Sequence, residues 1–429
     1  MTKKLSVFWF RRDLRLDDNI GLYNALRSEY EVLPLFIFDT EIISELPQND
    51  SRITFIHKCL QELNKELKNY NSSILILKGK PIDVWKDLIN KYQISEIHTN
   101  KDYEPYAITR DNEIKKLANQ KGISFNLYKD QVIFEENEIL KADNTPYTVF
   151  TPYKNKWRSV FSSIKLSENT EINSNKFTKL LNEFPSINQI GFSYSNIKVK
   201  DFDLTKIKNY ASTRDIPSIE GTTNLSPHLR FGTVSIRKLV KEYIDNEVFI
   251  NELIWREFFM QILFHFPQVV DQNFKLKYNA IEWRNNEQEF EKWCEGKTGY
   301  PIVDAGMREL NQTGYMHNRV RMITAGFLCK HLLIDWRWGE AYFAQKLLDY
   351  ELSANNGNWQ WASGTGCDAA PYFRIFNPYT QAKKFDPEMK YIKKYIPEIN
   401  TASYPNEIVE HKEARQRAID TYKKGIANF

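Results

Sequence analysis

Seven of the ten tryptophans stand between positions 255 and 361: Trp255, Trp283, Trp293, Trp336, Trp338, Trp359 and Trp361. An indole is a large flat ring that stacks on planar ligands, and it can be oxidised transiently. Packing alone explains any single one of them. A cluster is a less natural core filler, because each buried indole N–H needs a partner. The spacing suits stacking on a flat ligand or passing electrons from ring to ring. Trp359 and Trp361 flank one glutamine in "NNGNWQW". In extended or loop backbone they point to opposite sides, one toward a cofactor and the other toward a second site.

Two further groupings carry chemistry. "RDIPSIEGTTNLSPHLRFGTVSIR" (214–237) offers Gly221, Thr222, Thr223, Asn224 and Ser226. Small side chains, hydroxyls and free backbone N–H groups can cradle a phosphate. A Ser/Thr turn capping a helix accounts for the segment equally well. It is neither GxGxxG nor a P-loop. In "GYMHNRVRM" (314–322), Arg319 and Arg321 interrupt an apolar helical pattern, and Asp349 and Glu351 are candidate partners. A buried guanidinium needs a carboxylate or an anionic ligand. His317 has no second His at metal-ligand spacing and reads as a hydrogen-bonding residue. Neither a metal site nor a Ser–His–Asp arrangement is expected.

These residues need a scaffold. The 429 residues are 42% hydrophobic and 27% charged, a balance that suits two or three globular domains. A net charge of +4 permits a local basic patch for nucleic acid without arguing for one. Cys59, Cys294, Cys329 and Cys367 are far apart, which fits a reducing cytoplasm better than a disulfide framework. The apolar run Leu5–Phe10 is too short for a signal peptide, and no run reaches membrane-spanning length.

Short apolar runs at 5–10, 32–38, 72–79, 96–100 and 124–128 read as buried strands, with helical patterns such as 52–70 between them. That alternation predicts a Rossmann-like parallel α/β domain over 1–130. Residues 131–200, including the polar "SENTEINSNKF", read as an interdomain linker, and 201–429 as an all-α domain. Residues 249–266 and 318–336 have helical spacing and enough apolar character to be buried on several sides.

The chain resembles the photolyase/cryptochrome family, most closely class I cyclobutane pyrimidine dimer photolyases of bacteria. "FWFRRDLRLDDNIGL" (8–22), "TPYKNKW" (151–157), "NELIWREFF" (251–259), "GKTGYPIVDAGMREL" (296–310), "DAAPYFRIFNP" (368–378) and "EIVEHKEARQRAIDTYK" (407–423) carry the resemblance, along with the segments above. It implies light-driven repair of UV-damaged DNA by electron transfer from reduced anionic FAD to a flipped-out dimer. It also implies a monomer and a bacterial-type cytoplasmic protein that joins the nucleoid when bound to DNA.

The resemblance implies roles residue by residue. Tyr210, Thr222, Thr223, Asn224, Leu225 and Ser226 match the FAD phosphate and ribityl segment. Arg321 and Asp349 match an ion pair against the flavin ring, with Glu351 beside it and Asn355 facing flavin N5. Trp359, Trp336 and Trp283 match an electron-transfer triad, and Trp361 and Trp255 a clamp on the dimer. Glu252, Asn318 and Met322 match substrate contacts, and Arg214 and Arg319 positions near the DNA backbone. Arg52, Asp102 and Glu104 match antenna-chromophore positions, without separating a folate from a deazaflavin or an empty pocket.

Three residues depart from the family pattern. Glu351 stands where many members have Asp, Asn358 where Gly is common, and Trp338 is an added ring. The rival readings are a cryptochrome-type photoreceptor without repair, a (6-4) photolyase and a generic FAD- or nucleotide-binding module with no DNA role.

Overall fold

The computed structural model describes residues 3–164, 166 and 172–429. The first five residues of the "SENTEINSNKF" stretch lie outside them. The chain forms two compact units, and each is discontinuous in sequence. One unit takes in the described residues of Met1–Ile139, Arg158–Asp201 and Leu225–Asp245. The other takes in Leu140–Trp157, Phe202–Asn224 and Asn246–Phe429.

The first unit is built on a five-stranded parallel sheet of order β3-β2-β1-β4-β5. The strands are β1 (Leu5–Phe10), β2 (Glu31–Asp39), β3 (Leu75–Gly79), β4 (Ile94–Asn100) and β5 (Ser124–Tyr128). Val7 of β1 lies between Leu33 of β2 and Ile97 of β4. Every residue of β1 is buried, because both faces are covered. Successive side chains of a strand alternate sides. Phe8 and Phe10 therefore enter one core with Leu60 and Leu63 of the Ser51–Lys68 helix. Val7 and Trp9 enter the opposite core with Trp85 and Leu88 of the Pro81–Lys91 helix. This explains why the strand reads as a continuous apolar run instead of an alternating one. Phe177 is fully buried and bridges to Val32.

The second unit is helical. Its long Glu247–His265 helix buries residues around most of its circumference. Gly357 and Gly339 let neighbouring helices close on one another. A Cβ at Gly357 would meet the Phe259 ring at 2.1 Å, and one at Gly339 the Trp359 ring at 2.1 Å. The helical pattern at 318–336 is not one helix. It divides into Asn318–Gly326, a π-turn over Phe327–His331, and a new helix starting at Trp336. Leu333 adopts φ +50° in the gap, and Asp335 caps the new helix through the Arg337 N–H. The break re-aims Trp336. No helix among the described residues is long and apolar enough to cross a membrane.

Candidate active site

The site of the second unit is organised by the Asn318–Gly326 and Leu352–Ser363 helices. His317 caps the first, accepting from the Arg319 N–H at 3.2 Å. Glu309 accepts from the His317 N–H at 3.1 Å and from the Tyr391 hydroxyl at 2.7 Å, which fixes where this helix begins. Burial pushes His317 down to about 4, so the ring is neutral at physiological pH and able to accept.

Arg321, half-buried, donates to both oxygens of buried Asp349 at 2.9 and 3.2 Å and to the Met316 carbonyl at 2.7 Å. One of the two pairings open from sequence is thus made. Arg319 goes elsewhere, to Asp215 at 2.8 Å, with its guanidinium 4.4 Å from the Phe385 ring centre and 3.7 Å from Met322 Sδ. Glu351 is buried and pairs with Arg256 at 3.5 Å. Neither Asp215 nor Arg256 was legible as a partner, since both are distant in sequence.

Asn355 is buried on the Leu352–Ser363 helix. Its amide nitrogen donates to the Glu340 carboxylate at 2.8 Å and to the Glu340 carbonyl at 3.1 Å. That orientation leaves the amide oxygen as the group available to a ligand. Burial raises Glu340 above the ordinary carboxylate range, opposed by the bond from Asn355. Nearby in sequence, Ser353 Oγ is buried without a hydrogen-bond partner. A buried hydroxyl without a partner and an amide engaged only through its nitrogen are unmet polar groups of the kind a polar ligand satisfies.

In the same unit, Tyr210 packs edge-on against Phe249, with Arg214 5.4 Å from its ring centre. Burial, then the charge of Glu252, pushes Tyr210 up to about 12. The Thr223 carbonyl accepts from the Asp203 N–H at 2.9 Å, and Asn224 takes φ +55°. A left-handed residue there turns successive backbone N–H groups toward one side, as anion-binding turns require. A Cβ at Gly221 would meet the Thr213 side chain at 2.6 Å, so this turn needs glycine. Leu225 and Ser226 belong to the first unit, where they open the short Ser226–Arg230 helix; Leu225 is buried and Ser226 exposed.

Trp359 and Trp336 are buried in one core, and half-buried Trp283 packs against it. Trp336 satisfies its indole by donating to Asn273 Oδ1 at 2.8 Å. The Arg284 N–H donates to the Leu333 carbonyl at 2.7 Å, and the Asp335 N–H to Asn285 Oδ1 at 2.8 Å. Those bonds tie the segment after Trp283 to the one before Trp336. Trp359 also touches buried Trp293, ring centres 6.1 Å apart. Residues two apart on a helix lie about 200° apart around it, so the Trp359/Trp361 divergence arises from helical backbone, not from an extended or loop segment. Trp359 is buried and Trp361 half-exposed. Trp361 contacts no other ring among the described residues.

Arg214 reaches Glu252 at 2.5 Å, pairing two candidate DNA- and substrate-contact residues. Trp255, three residues on, stacks on Phe150 at 3.6 Å with 7° between planes. Phe150 is a ring the sequence reading passed over. Its N–H is anchored by Asp368 at 3.0 Å. Asn318 is exposed at its helix start, and Met322 is half-buried.

In the first unit, Arg12 lies between Asp102 at 3.2 Å and Glu104 at 3.1 Å. Burial alone would raise Asp102, but Arg12, Arg11, Arg230 and Arg110 hold it well below the usual carboxylate range. Arg52 instead binds Asp50 at 2.6 Å. Among the described residues, no group of three or more His, Cys, Asp or Glu is placed to hold a metal ion.

Residues 249–403 match the family model described as the FAD binding domain of DNA photolyase, and residues 6–172 match that of DNA photolyase. A deoxyribodipyrimidine photo-lyase of Synechococcus sp. is 35% identical, covering 94% of this chain and 90% of that one. A bacterial class III photolyase from Agrobacterium tumefaciens has the same fold, with TM-score 0.89 and 31% identity over 100% of this chain and 99% of that one. An archaeal photolyase from Sulfolobus tokodaii, solved with two FAD molecules, gives TM-score 0.86 and 35% identity over 98% of this chain and 100% of that one. The chain belongs to the DNA photolyase family, and it carries that family's FAD-binding domain.

Proposed function

We propose that this member repairs cyclobutane pyrimidine dimers in UV-damaged DNA and is of the class I kind, acting as a monomer in the cytoplasm and on the nucleoid. The coarser function, light-driven DNA repair with FAD, follows from the family. The observation that carries the finer reading is the half-exposed Trp361 ring, free of aromatic partners, in a unit that also holds Trp255 and the Arg214–Glu252 pair.

The polar groups of the second unit fit FAD. Ser353 Oγ is an orphaned buried hydroxyl, and the 221–224 turn is an anion cradle. Thr222, Thr223 and Asn224 would hold the phosphates, with Leu225 and Ser226 following along the chain and Tyr210 alongside. Arg321 and Asp349 would lie against the flavin ring, with Glu351 fixed by Arg256 behind them. When bound, FAD supplies a light-driven electron to the lesion.

The chain's own residues do the rest. Arg214 and Arg319 attract the phosphate backbone without reading sequence. A dimer stacks and pairs poorly, so flipping it out costs less than flipping a normal base. Trp361 and half-buried Trp255 grip the flipped dimer, flanked by Asn318 and Met322. Glu252, its carboxylate paired with Arg214, would accept a hydrogen bond from a base N–H. Asn355 Oδ1 would face the flavin ring as a hydrogen-bond acceptor, because Glu340 holds its nitrogen. Trp359, Trp336 and Trp283 would relay an electron from an external reductant at the surface to an oxidised cofactor. Arg52, Asp102 and Glu104 would mark the site of a second chromophore, open between a folate, a deazaflavin and an empty pocket.

The test is repair by anaerobically reduced protein under blue light. One oligonucleotide carries a cyclobutane thymine dimer, the other a (6-4) product. Restored thymines in the first alone, and in light alone, are expected. Repair of the second alone would move the chain to the (6-4) reading. Repair of neither, with FAD bound, would favour the photoreceptor reading. Trp336→Phe should stop photoreduction while pre-reduced protein still repairs. Full-rate photoreduction in that variant would remove Trp336 from the route.

A further inference from the structure

Trp255 is mounted in a stack of rings inside the second unit. Its indole lies flat on buried Phe150, with centres 3.6 Å and planes 7° apart. It also lies against Phe259, one turn along the same helix, at 5.4 Å and 29°. Phe258 meets Phe150 and Trp255 edge-on, at 5.9 and 5.6 Å. Half-buried, Trp255 keeps part of its ring exposed. A centred face-to-face contact is one that two rings avoid when left to themselves, because their like-charged faces oppose each other. The place of Phe150 is therefore set by its backbone and its surroundings.

That backbone is held from a distant segment. Phe150 opens the Phe150–Phe161 helix, and its N–H is among the donors that a helix start leaves unmatched. Asp368 Oδ2 accepts it at 3.0 Å. Asp368 follows Trp361 by seven residues, and the chain between them folds back on its own helix end. The Thr365 and Gly366 N–H groups both donate to the Gln360 carbonyl at 3.0 Å, and the Gly364 N–H donates to the Trp361 carbonyl at 3.2 Å. A Cβ on Gly366 would meet the Gln360 carbonyl carbon at 3.1 Å. The Gln360 side chain is buried, donating to the Val269 carbonyl at 2.9 Å and accepting from the Phe274 N–H at 2.8 Å. The glutamine between the two tryptophans thus anchors the tether that ends on Phe150.

We propose that Phe150 is a positioning residue of the dimer clamp: it fixes the plane of the Trp255 indole, and Asp368 registers that plane to the Trp361 end of the Leu352–Ser363 helix. The inference rests on the reading of Trp255 and Trp361 as the rings that grip a flipped dimer. It adds that the gap between them is built before DNA arrives. A cyclobutane dimer is two bases joined through saturated carbons, so it is rigid and not flat. A pre-set gap receives such a body without an ordering cost, whereas rings free to move must be immobilised on binding. Undamaged DNA, held through its phosphates, does not sense the gap.

The experiment measures binding of FAD-loaded protein, in the dark, to an oligonucleotide with a cyclobutane thymine dimer and to its undamaged twin. Phe150→Leu keeps bulk and removes the flat face. Asp368→Ala removes the tether, and Asp368→Asn keeps an oxygen that can accept the Phe150 N–H. Phe150→Leu and Asp368→Ala should each weaken dimer binding about three- to tenfold, the worth of one aromatic pair. Affinity for the undamaged twin should not change, and Asp368→Asn should bind the dimer like wild type. In a Trp255→Leu background, Phe150→Leu should add no further loss. An equal loss on both oligonucleotides, or a full loss that persists without Trp255, would reduce Phe150 to a structural role and overturn the proposal. Wild-type dimer affinity in Phe150→Leu would also overturn it. If Phe150→Leu yields no FAD-loaded protein, the Asp368 pair decides: unchanged dimer affinity in Asp368→Ala, or no rescue by Asn, would overturn the tether and the proposal with it. A wild type without preference for the dimer would overturn the clamp reading itself, a failure seen before any variant is compared.

Discussion

In the first unit, Arg11, Arg12 and Arg110 meet Asp39, Asp102, Glu104 and Asp111, and every guanidinium has a carboxylate. In the second unit, Arg321 and Arg256 have theirs, yet Ser353 Oγ has no partner, the Asn355 nitrogen is held while its oxygen is not, and Trp361 has no ring against it. The two clusters use the same residue types. A charge cluster that satisfies itself stabilises the fold, whereas one that leaves specific atoms unanswered predicts a ligand of complementary shape. Strong charge alone would have pointed to the first unit, where the carboxylates are shifted most by their neighbours. Unmet valence points to the second.

The contrast can be broken at its strongest point. Buried Asp130 accepts from Arg15 and Arg237 at 2.8 Å each within the first unit. Asp130→Ala leaves two buried guanidinium groups short of a partner and should cost about 3–5 kcal/mol. Denaturant unfolding of the FAD-loaded protein checks it, and the flavin spectrum should not change. Burial alone would raise Asp130, but Arg15 and Arg237 hold it below its ordinary range. Its folded pKa is thus below the unfolded value of about 3.9. The stabilisation is complete above that value and is lost as pH falls through the folded pKa. Acid unfolding that begins near neutral pH in wild type but not in Asp130→Asn would contradict that order.

A smaller effect sharpens the second unit. Trp361→Ala should weaken binding of a dimer-containing oligonucleotide by about 1–3 kcal/mol, as for other base–ring stacks. FAD content should stay the same, because Trp361 faces away from the buried Trp359. Equal affinity for damaged DNA would remove Trp361 from the substrate site. The smallest effect is at Glu340. Glu340→Ala frees the Asn355 amide to rotate and should shift the flavin reduction equilibrium by about 1 kcal/mol, the value of one hydrogen bond. A redox titration of bound FAD measures it, and an unmoved potential would mean Glu340 does not orient Asn355.

The sheet was legible because a strand covered on both faces writes an uninterrupted apolar run, as Leu5–Phe10 does. The break after Gly326 was not. A segment buried on all sides has no polar stripe whose phase could slip, so Phe327–His331 and Leu333 look like more helix. The one written signal was Asp335, an N-cap ahead of "WRW". The split of 131–245 between two units was hidden for a related reason: polar sequence does not say which neighbour its few apolar residues, such as Phe177, will join. Of the site, Arg321 with Asp349 could be posed as a pair. Glu340, Arg256, Asp215 and Phe150 could not, because their partners come from elements brought together only by folding.

Gly357 against Phe259 and Gly339 against Trp359 leave the Leu352–Ser363 helix no clearance on two sides. Asn355, Trp359 and Trp361 therefore share one rigid mounting. A ring gripped at van der Waals contact has little room to relax when its charge changes, so its energy gap to the next ring stays nearly constant. Cooling should slow electron steps from Trp359 far less than it slows the docking of DNA on Trp361. Gly339→Ala, which pushes against Trp359 itself, should make the first step as temperature-sensitive as the second.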